Sequence, residues 1–403
     1  MLRNKIAFTR TFGTLVVSLA LAGATACESS DPTDTSSGGG SGGSGAAGGT
    51  GGTGADGGGG TGGTGGTGGS GGSGGSVMVC DSADANVTQT DGAGCMQDAN
   101  DYQPGQSDTW AACISDDGAY HAFDPNISTI ARIAAFENIS ELLGFGKDKA
   151  PTFQEFVDAR LEYSVDQGLE SRVSRREDEH YPAAAKKCQD MTAEELAMNP
   201  DRCVGPAKIQ PILNAAFEDG IDGKEPTLNA ARIEAALLWF LYTSVYKEAT
   251  TCTSVQADCD SHYAYYTGGE APDQGLGLSR YVRARSEQAN DFVWNGVLAV
   301  RCWRDLDNPA GTATDLALRD KARAQLDRAL LRGVAVIVRQ RALALPCDTA
   351  WETVKILGPV LDREATVRDA ANAKILRDEL AKGKDGIDAA AFVKALDAVF
   401  PCP

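Results

Sequence analysis

Donor side chains gather in one stretch. An apolar run, Leu237-Leu238-Trp239-Phe240-Leu241-Tyr242, leads through Tyr246, Glu248, Cys252 and Cys259 into Asp260-Ser261-His262-Tyr263-Ala264-Tyr265-Tyr266. Phenolate, carboxylate and imidazole together suit a hard cation such as ferric iron. Tyr242 and Tyr246 stand one helical turn apart and share a face. A bond between Cys252 and Cys259 folds the intervening loop back, so that Asp260, His262, Tyr265 and Tyr266 approach the helix end at Glu248. On this reading Glu248, Asp260, His262, Tyr265 and Tyr266 are metal ligands for iron, with Tyr246, Arg283 and Arg285 supporting them from behind. The alternative for the same residues is packing, with the tyrosine hydroxyls taken by backbone groups.

The rest of the chain offers little competing chemistry. Its 3 histidines are His121, His180 and His262, and no His-Glu-x-x-His is present, so a zinc-peptidase site has no basis. Glu177-x-x-His180 in a helical context resembles one half of a di-iron site, but it occurs once. The surrounding Arg175-Arg176-Glu177-Asp178-Glu179-His180 reads as exposed charge. No nucleophile, base and orienting group stand at recognisable spacing, so the chain is read as not an enzyme.

Arg3, Lys5 and Arg10 precede the apolar run Leu15 to Ala22, and Ala24-Thr25-Ala26 leads to Cys27, the layout of a signal peptide over 1–26. That run is too short to span a bilayer. The cysteine after small residues resembles the lipobox of bacterial lipoproteins. The resemblance implies cleavage before Cys27, acylation (palmitate) of that residue as a lipid anchor and, with Glu28 behind it, outer-membrane sorting; the alternative is ordinary cleavage that leaves a free thiol. Residues 27–76 are dominated by Gly, Ser and Thr, which cannot bury enough surface to offset ordering, so a disordered tether is expected. The part that is almost wholly Gly, Ser and Thr, from about Ser36 to Ser76, has ~40 residues and spans roughly 35 Å. The glycine patterns inside it that match a hydrolase elbow or a dinucleotide loop follow no strand and open no helix, and carry no chemistry.

The formal charge is -18, and the leader holds basic residues but no acid, so the remainder is more negative still. Such a body repels nucleic acid and anionic head groups. Of 11 cysteines, setting Cys27 aside leaves an even number in an exported chain, which reads as disulfides. Cys252 with Cys259 and Cys188 with Cys203 are the expected local pairs. The absence of Cys-x-x-Cys removes thiolate zinc knuckles and thioredoxin-type redox centres.

To position these groups the chain must be all-α. Residues 77–126 read as an irregular cysteine-bearing segment and 127–403 as a helical domain. Apolar positions three and four apart predict helices from Ile127, from Pro151 with a run or restart towards Tyr181, and over Pro206 to Phe217, Thr227 to Thr250, Leu278 to Leu306, Thr312 to Leu345, Ala350 to Leu361, Glu364 to Lys382 and Ala389 to Phe400. Ala207-Lys208-Ile209 with Asp219-Gly220-Ile221-Asp222 recurs at the same spacing as Ala373-Lys374-Ile375 with Asp385-Gly386-Ile387-Asp388. A second echo links Arg160 to Arg176 with Gln325 to Arg341. The expectation is a tandem duplication of helical bundle units, 127–250 and 279–402, joined by a loop over 251–278. Asp-Gly-Ile-Asp lacks the alternating acids of a calcium loop in both copies.

Tyr265-Tyr266-Thr267-Gly268, followed by Arg285 to Asn290 and Phe292, is similar to the repeats of the algal extracellular iron-assimilation proteins, also described as high-carbon-dioxide-inducible periplasmic proteins. The resemblance covers about a tenth of the chain and implies an exported, cysteine-bearing repeat protein of iron uptake. Unlike that family, this chain has a tether and a single tyrosine-glycine segment. The expected function is a lipid-anchored metal-binding protein at the cell envelope, with the membrane and a metal ion or an envelope protein as partners and no nucleic acid. The alternative is a surface interaction or scaffold lipoprotein without a small ligand.

Overall fold

The structure, a computed structural model, describes residues 97–401 apart from 107–108, 148 and 166–167. The leader, Cys27, the tether, Cys80, Cys95 and Cys402 lie outside the described residues. Among those residues there is no strand, and the fold is all-α. The helices are α1 (Ile130–Leu143), α2 (Phe153–Ser164), α3 (Leu169–Val173), α4 (Ala193–Met198), α5 (Gln210–Ile221), α6 (Pro226–Thr251), α7 (Gln256–Thr267), α8 (Leu278–Arg283), α9 (Glu287–Leu306), α10 (Leu316–Leu343), α11 (Asp348–Leu357), α12 (Asp362–Arg368), α13 (Ala370–Ala381) and α14 (Ala389–Val399). A π-helical turn, Gly205–Ile209, runs into α5, and a 3-10 turn, Gly358–Leu361, links α11 to α12.

Local chemistry sets the boundaries. Gly144, at φ 65°, closes α1 with the left-handed residue that a helix end favours. Thr152 and Glu155 form a reciprocal capping box on α2, and Ser286 caps α9 by accepting the Ala289 N–H. That cap is why the single helix expected over Leu278 to Leu306 is two, α8 and α9. Asp369 likewise caps α13 through the Ala371 and Asn372 N–H groups and divides the helix expected over Glu364 to Lys382.

Around α6 the others assemble: it packs against α5, α7, α10 and α11. Its 26 residues are buried on nearly every side, as befits a helix apolar all round. Ile233, Leu237, Phe240, Leu241 and Val245 are fully enclosed, and each such side chain contributes about 1.5–3 kcal/mol relative to exposure. The second axis is α10 against α9, where the backbones close at Gly296: a Cβ there would lie 2.7 Å from Leu326 Cα. Where a loop was expected over 251–278, the chain forms α7, a helix buried from Cys259 to Thr267 except at Ser261. Its buried Asp, His and Tyr residues carry polar atoms into the core, so the helical period is invisible to a hydrophobicity reading.

The irregular segment before α1 is strapped to the helices. Cys113 is bonded to Cys302 on α9, and Tyr102 exchanges two hydrogen bonds with Gln325 on α10 (N to Oε1 2.7 Å, Nε2 to O 2.9 Å). The two local disulfides expected from spacing, Cys188–Cys203 and Cys252–Cys259, are present. Cys347 is also disulfide-bonded.

Candidate functional site

The residues read as iron ligands stand on the last turns of α6 and on α7. Successive residues of a helix are rotated by about 100°, so Asp260, His262, Tyr265 and Tyr266 leave α7 in different directions, where a loop could have gathered them. Each has a protein partner instead. Glu248 accepts from Arg176 Nη1 at 2.9 Å and from Lys247 Nζ at 3.0 Å, and Tyr265 Oη meets the other Arg176 nitrogen at 3.3 Å. Asp260 anchors the strap, accepting the Phe123 and Asp124 N–H groups at 3.0 and 2.9 Å and the Tyr120 hydroxyl at 3.2 Å. Tyr266 donates to Asn290 Oδ1 at 2.9 Å, which also accepts from Ser279 at 2.8 Å. His262 is fully buried with Nε2 3.4 Å from the Val297 carbonyl oxygen, so that nitrogen carries the proton.

The electrostatics of these groups follow. Burial pushes Glu248 up, but the Lys247 and Arg176 charges outweigh it and hold the carboxyl down at about 2. Burial, with the Glu248 charge beside it, pushes Asp258 up to about 6. Burial drives His262 down to about 4, a neutral core imidazole. It raises the Tyr266 phenol, disfavouring the phenolate that a metal ion needs. Among the described residues no group of three or more His, Cys, Asp or Glu is placed to hold a metal ion. Of the five side chains, Glu248 and Tyr265 meet at Arg176, while Asp260, His262 and Tyr266 are each engaged elsewhere. Of the supporting residues, Arg283 donates to the Pro272 carbonyl at 2.9 Å and Arg285, itself buried, to the Tyr281 carbonyl at 2.8 Å. Tyr246 belongs elsewhere.

Elsewhere is the charged run read as exposed. The His180 side chain is 5 % exposed, with Nδ1 2.6 Å from Asp178 Oδ1 and Nε2 3.0 Å from Asp327 Oδ2 on α10. Its ring stacks on Tyr246 of α6, centroids 3.7 Å apart and 8° from parallel. Asp327 also accepts from Tyr242 at 3.1 Å and from Arg363 of α12 at 2.8 Å. Beside it Arg202 is clamped by Glu177 and Glu179 at 2.7 and 2.9 Å. Burial lowers His180, but the hydrogen bonds to Asp178 and Asp327 outweigh it and the imidazole is raised. Burial raises Asp327, but His180 and Arg363 outweigh that and the carboxyl is lowered. Both ring nitrogens thus face carboxylates.

This network backs the wall of a cavity of about 660 Å³, which reaches from Asp178 and Tyr181 past Tyr242 and Arg363 to Leu376 of α13. A neighbouring cavity of about 480 Å³ lies over Ile212 and Ile356. The two share Lys208, Trp239 and Pro359. From Ile233 to Val245 every residue of α6 is buried except Trp239, which is half-buried between the cavities. The signal for this cleft in the sequence was the mixed-sign run ending at Tyr181-Pro182; nothing in one dimension joins it to Asp327 or Arg363. No protein-family model matches the chain, and neither a curated protein nor a solved structure matches it.

Proposed function

We propose that this chain is an exported, lipid-anchored binding protein of the cell envelope, which takes up a small ligand without transforming it. The leader and the cysteine at position 27 support export and anchoring at the outer membrane, and the glycine-rich stretch supports a tether. The recurring Ala-Lys-Ile and Asp-Gly-Ile-Asp segments support a duplicated origin: α5 turns into α6 and α13 into α14 as packed pairs. The earlier part of the proposed unit diverges, since α2 and α3 are separate where α10 is continuous.

The observation that carries the binding reading is the cleft over Trp239. It is walled by α6 and the π turn on one side and by α12, α13 and the 3-10 turn on the other. A half-buried indole is fixed there on the most enclosed helix of the fold, a setting of the kind small ligands use. Each strong cation of the larger cavity already has an acid: Lys208 with Asp201 at 2.6 Å, Arg377 with Asp362 at 2.5 Å and Arg363 with Asp327 at 2.8 Å. The walls thus offer hydrogen-bonding groups without a free catalytic base or nucleophile.

Thermal-shift screening of a solute library tests the reading. At least one solute is expected to raise the melting temperature of the full chain and not that of Trp239→Ala. If no solute does so and an envelope protein is captured instead, the scaffold reading replaces this one.

A further inference from the structure

A ligand class can be argued for the same cleft, resting on the reading of that cleft as a binding site. Its walls are charged but balanced. Asp178, Asp201 and Asp362 line the larger cavity together with Lys208, Arg363 and Arg377; Lys208 is paired with Asp201, Arg377 with Asp362, Arg363 with Asp327 and Asp178 with His180. A cavity of this kind selects neither anions nor cations by net charge, although the whole chain is strongly acidic. It does present carboxylates beside ammonium and guanidinium groups, strong hydrogen-bond acceptors and donors.

Aromatic surface completes the set. Trp239, Tyr242 and Tyr181 line the larger cavity, and Trp239 also lines the smaller. Among the described residues no group takes the Trp239 indole N–H or the Tyr181 hydroxyl. The smaller cavity is floored by Ile212, Ala216 and Ile356, with Arg232 and Glu352, paired at 3.0 Å, on its rim. A ligand crossing Trp239 must therefore show an apolar face to a ring and hydroxyl or amide groups to paired charges at its edge. A pyranose ring does both: its C–H face stacks on an indole, and its vicinal hydroxyls match acceptors and donors set side by side in ion pairs. An extended peptide is less well served, because the walls are helical and offer no row of backbone groups to pair with. A fatty chain would leave the paired charges of the larger cavity stripped of water.

We propose that the cleft across Trp239 binds an uncharged oligosaccharide, with one sugar ring stacked on the indole and neighbouring rings reaching the two cavities. Isothermal titration of the full chain with maltotriose, cellotriose and triacetylchitotriose tests it, with trigalacturonate and chitosan trimer as charged counterparts. One neutral trimer is expected to bind with an affinity insensitive to salt. Trp239→Ala is expected to weaken it by about tenfold or more, and Trp239→Phe by less. Tyr181→Ala, at the rim, gives a second loss in a variant whose fold is not at stake, and the thermal melt of each variant shows that it is folded. Preference for a charged trimer, binding untouched by Trp239→Ala, or no binding of any neutral trimer would each overturn the proposal. If a non-sugar solute binds and depends on Trp239, the cleft remains a binding site and only the sugar is lost. If no solute binds at all, both readings fall.

Discussion

Two histidines show how environment, not residue type, assigns a role. His262 stands among tyrosines and acids in the sequence, yet it is fully buried and held down at about 4. Its folded value lies below the unfolded value of about 6.5. The unfolded chain therefore binds the extra proton, and stability is lost as the pH falls from about 6.5 towards 4, by up to roughly 3 kcal/mol for a shift of this size. His262→Phe is expected to flatten that acid limb in urea melts taken across the range. His180 has the opposite sign, because Asp178 and Asp327 raise it. Its contribution is complete below about 6.5 and is lost as the pH rises through the raised folded value. His180→Gln is expected to cost roughly 2–4 kcal/mol at pH 6 and less at pH 9, since it leaves buried Asp327 short of a partner. An equal cost at both pH values would show that the ring is held by stacking on Tyr246 alone. Metal binding is tested at this scale too. Calorimetric titration with ferric, ferrous and zinc ions is expected to show no micromolar site; one abolished by His262→Ala with Tyr266→Phe would restore the iron reading.

At the scale of elements, sequence periodicity located the long helices well. Thr227 to Thr250 was expected and α6 spans Pro226–Thr251, because apolar residues around a whole helix leave a strong pattern. The break at Ser286 and the helix α7 were not legible. A cap is a side chain finding a backbone N–H, and α7 buries polar residues whose partners come from α9 and the strap. The close crossing of α9 and α10 gives a direct test: Gly296→Ala puts a methyl 2.7 Å from Leu326 Cα and is expected to destabilise by about 1–3 kcal/mol, read as a lower urea midpoint. The strap offers another. Cys113 and Cys302 are separated by 189 residues and Cys252 and Cys259 by 7, so loop-closure entropy predicts about 5 kcal/mol for the first bond and about 2.5 for the second. Replacing Cys113 and Cys302 by serine should therefore lower stability more than replacing Cys252 and Cys259.

At the scale of the whole molecule, the proposed lipid anchor is Cys27, ahead in sequence of the glycine-rich stretch and the helical body. Cys27→Ala is expected to move the protein from the membrane to the soluble fraction of the envelope without changing the melting temperature of the body, since among the described residues no helix is long and apolar enough to cross a membrane. The helical class and the local disulfides followed from the sequence alone, because helix period and cysteine spacing are local properties. Which donors meet is not local. Asp260, His262, Tyr265 and Tyr266 are neighbours in sequence, but helix α7 turns them towards separate partners, whereas Asp178, His180, Tyr246, Asp327 and Arg363 come from four distant segments. Only the packing of α6 against α10, with α12 beside them, brings those five side chains together and leaves Trp239 beside open space, because long-range packing sets distances that spacing along a chain does not encode.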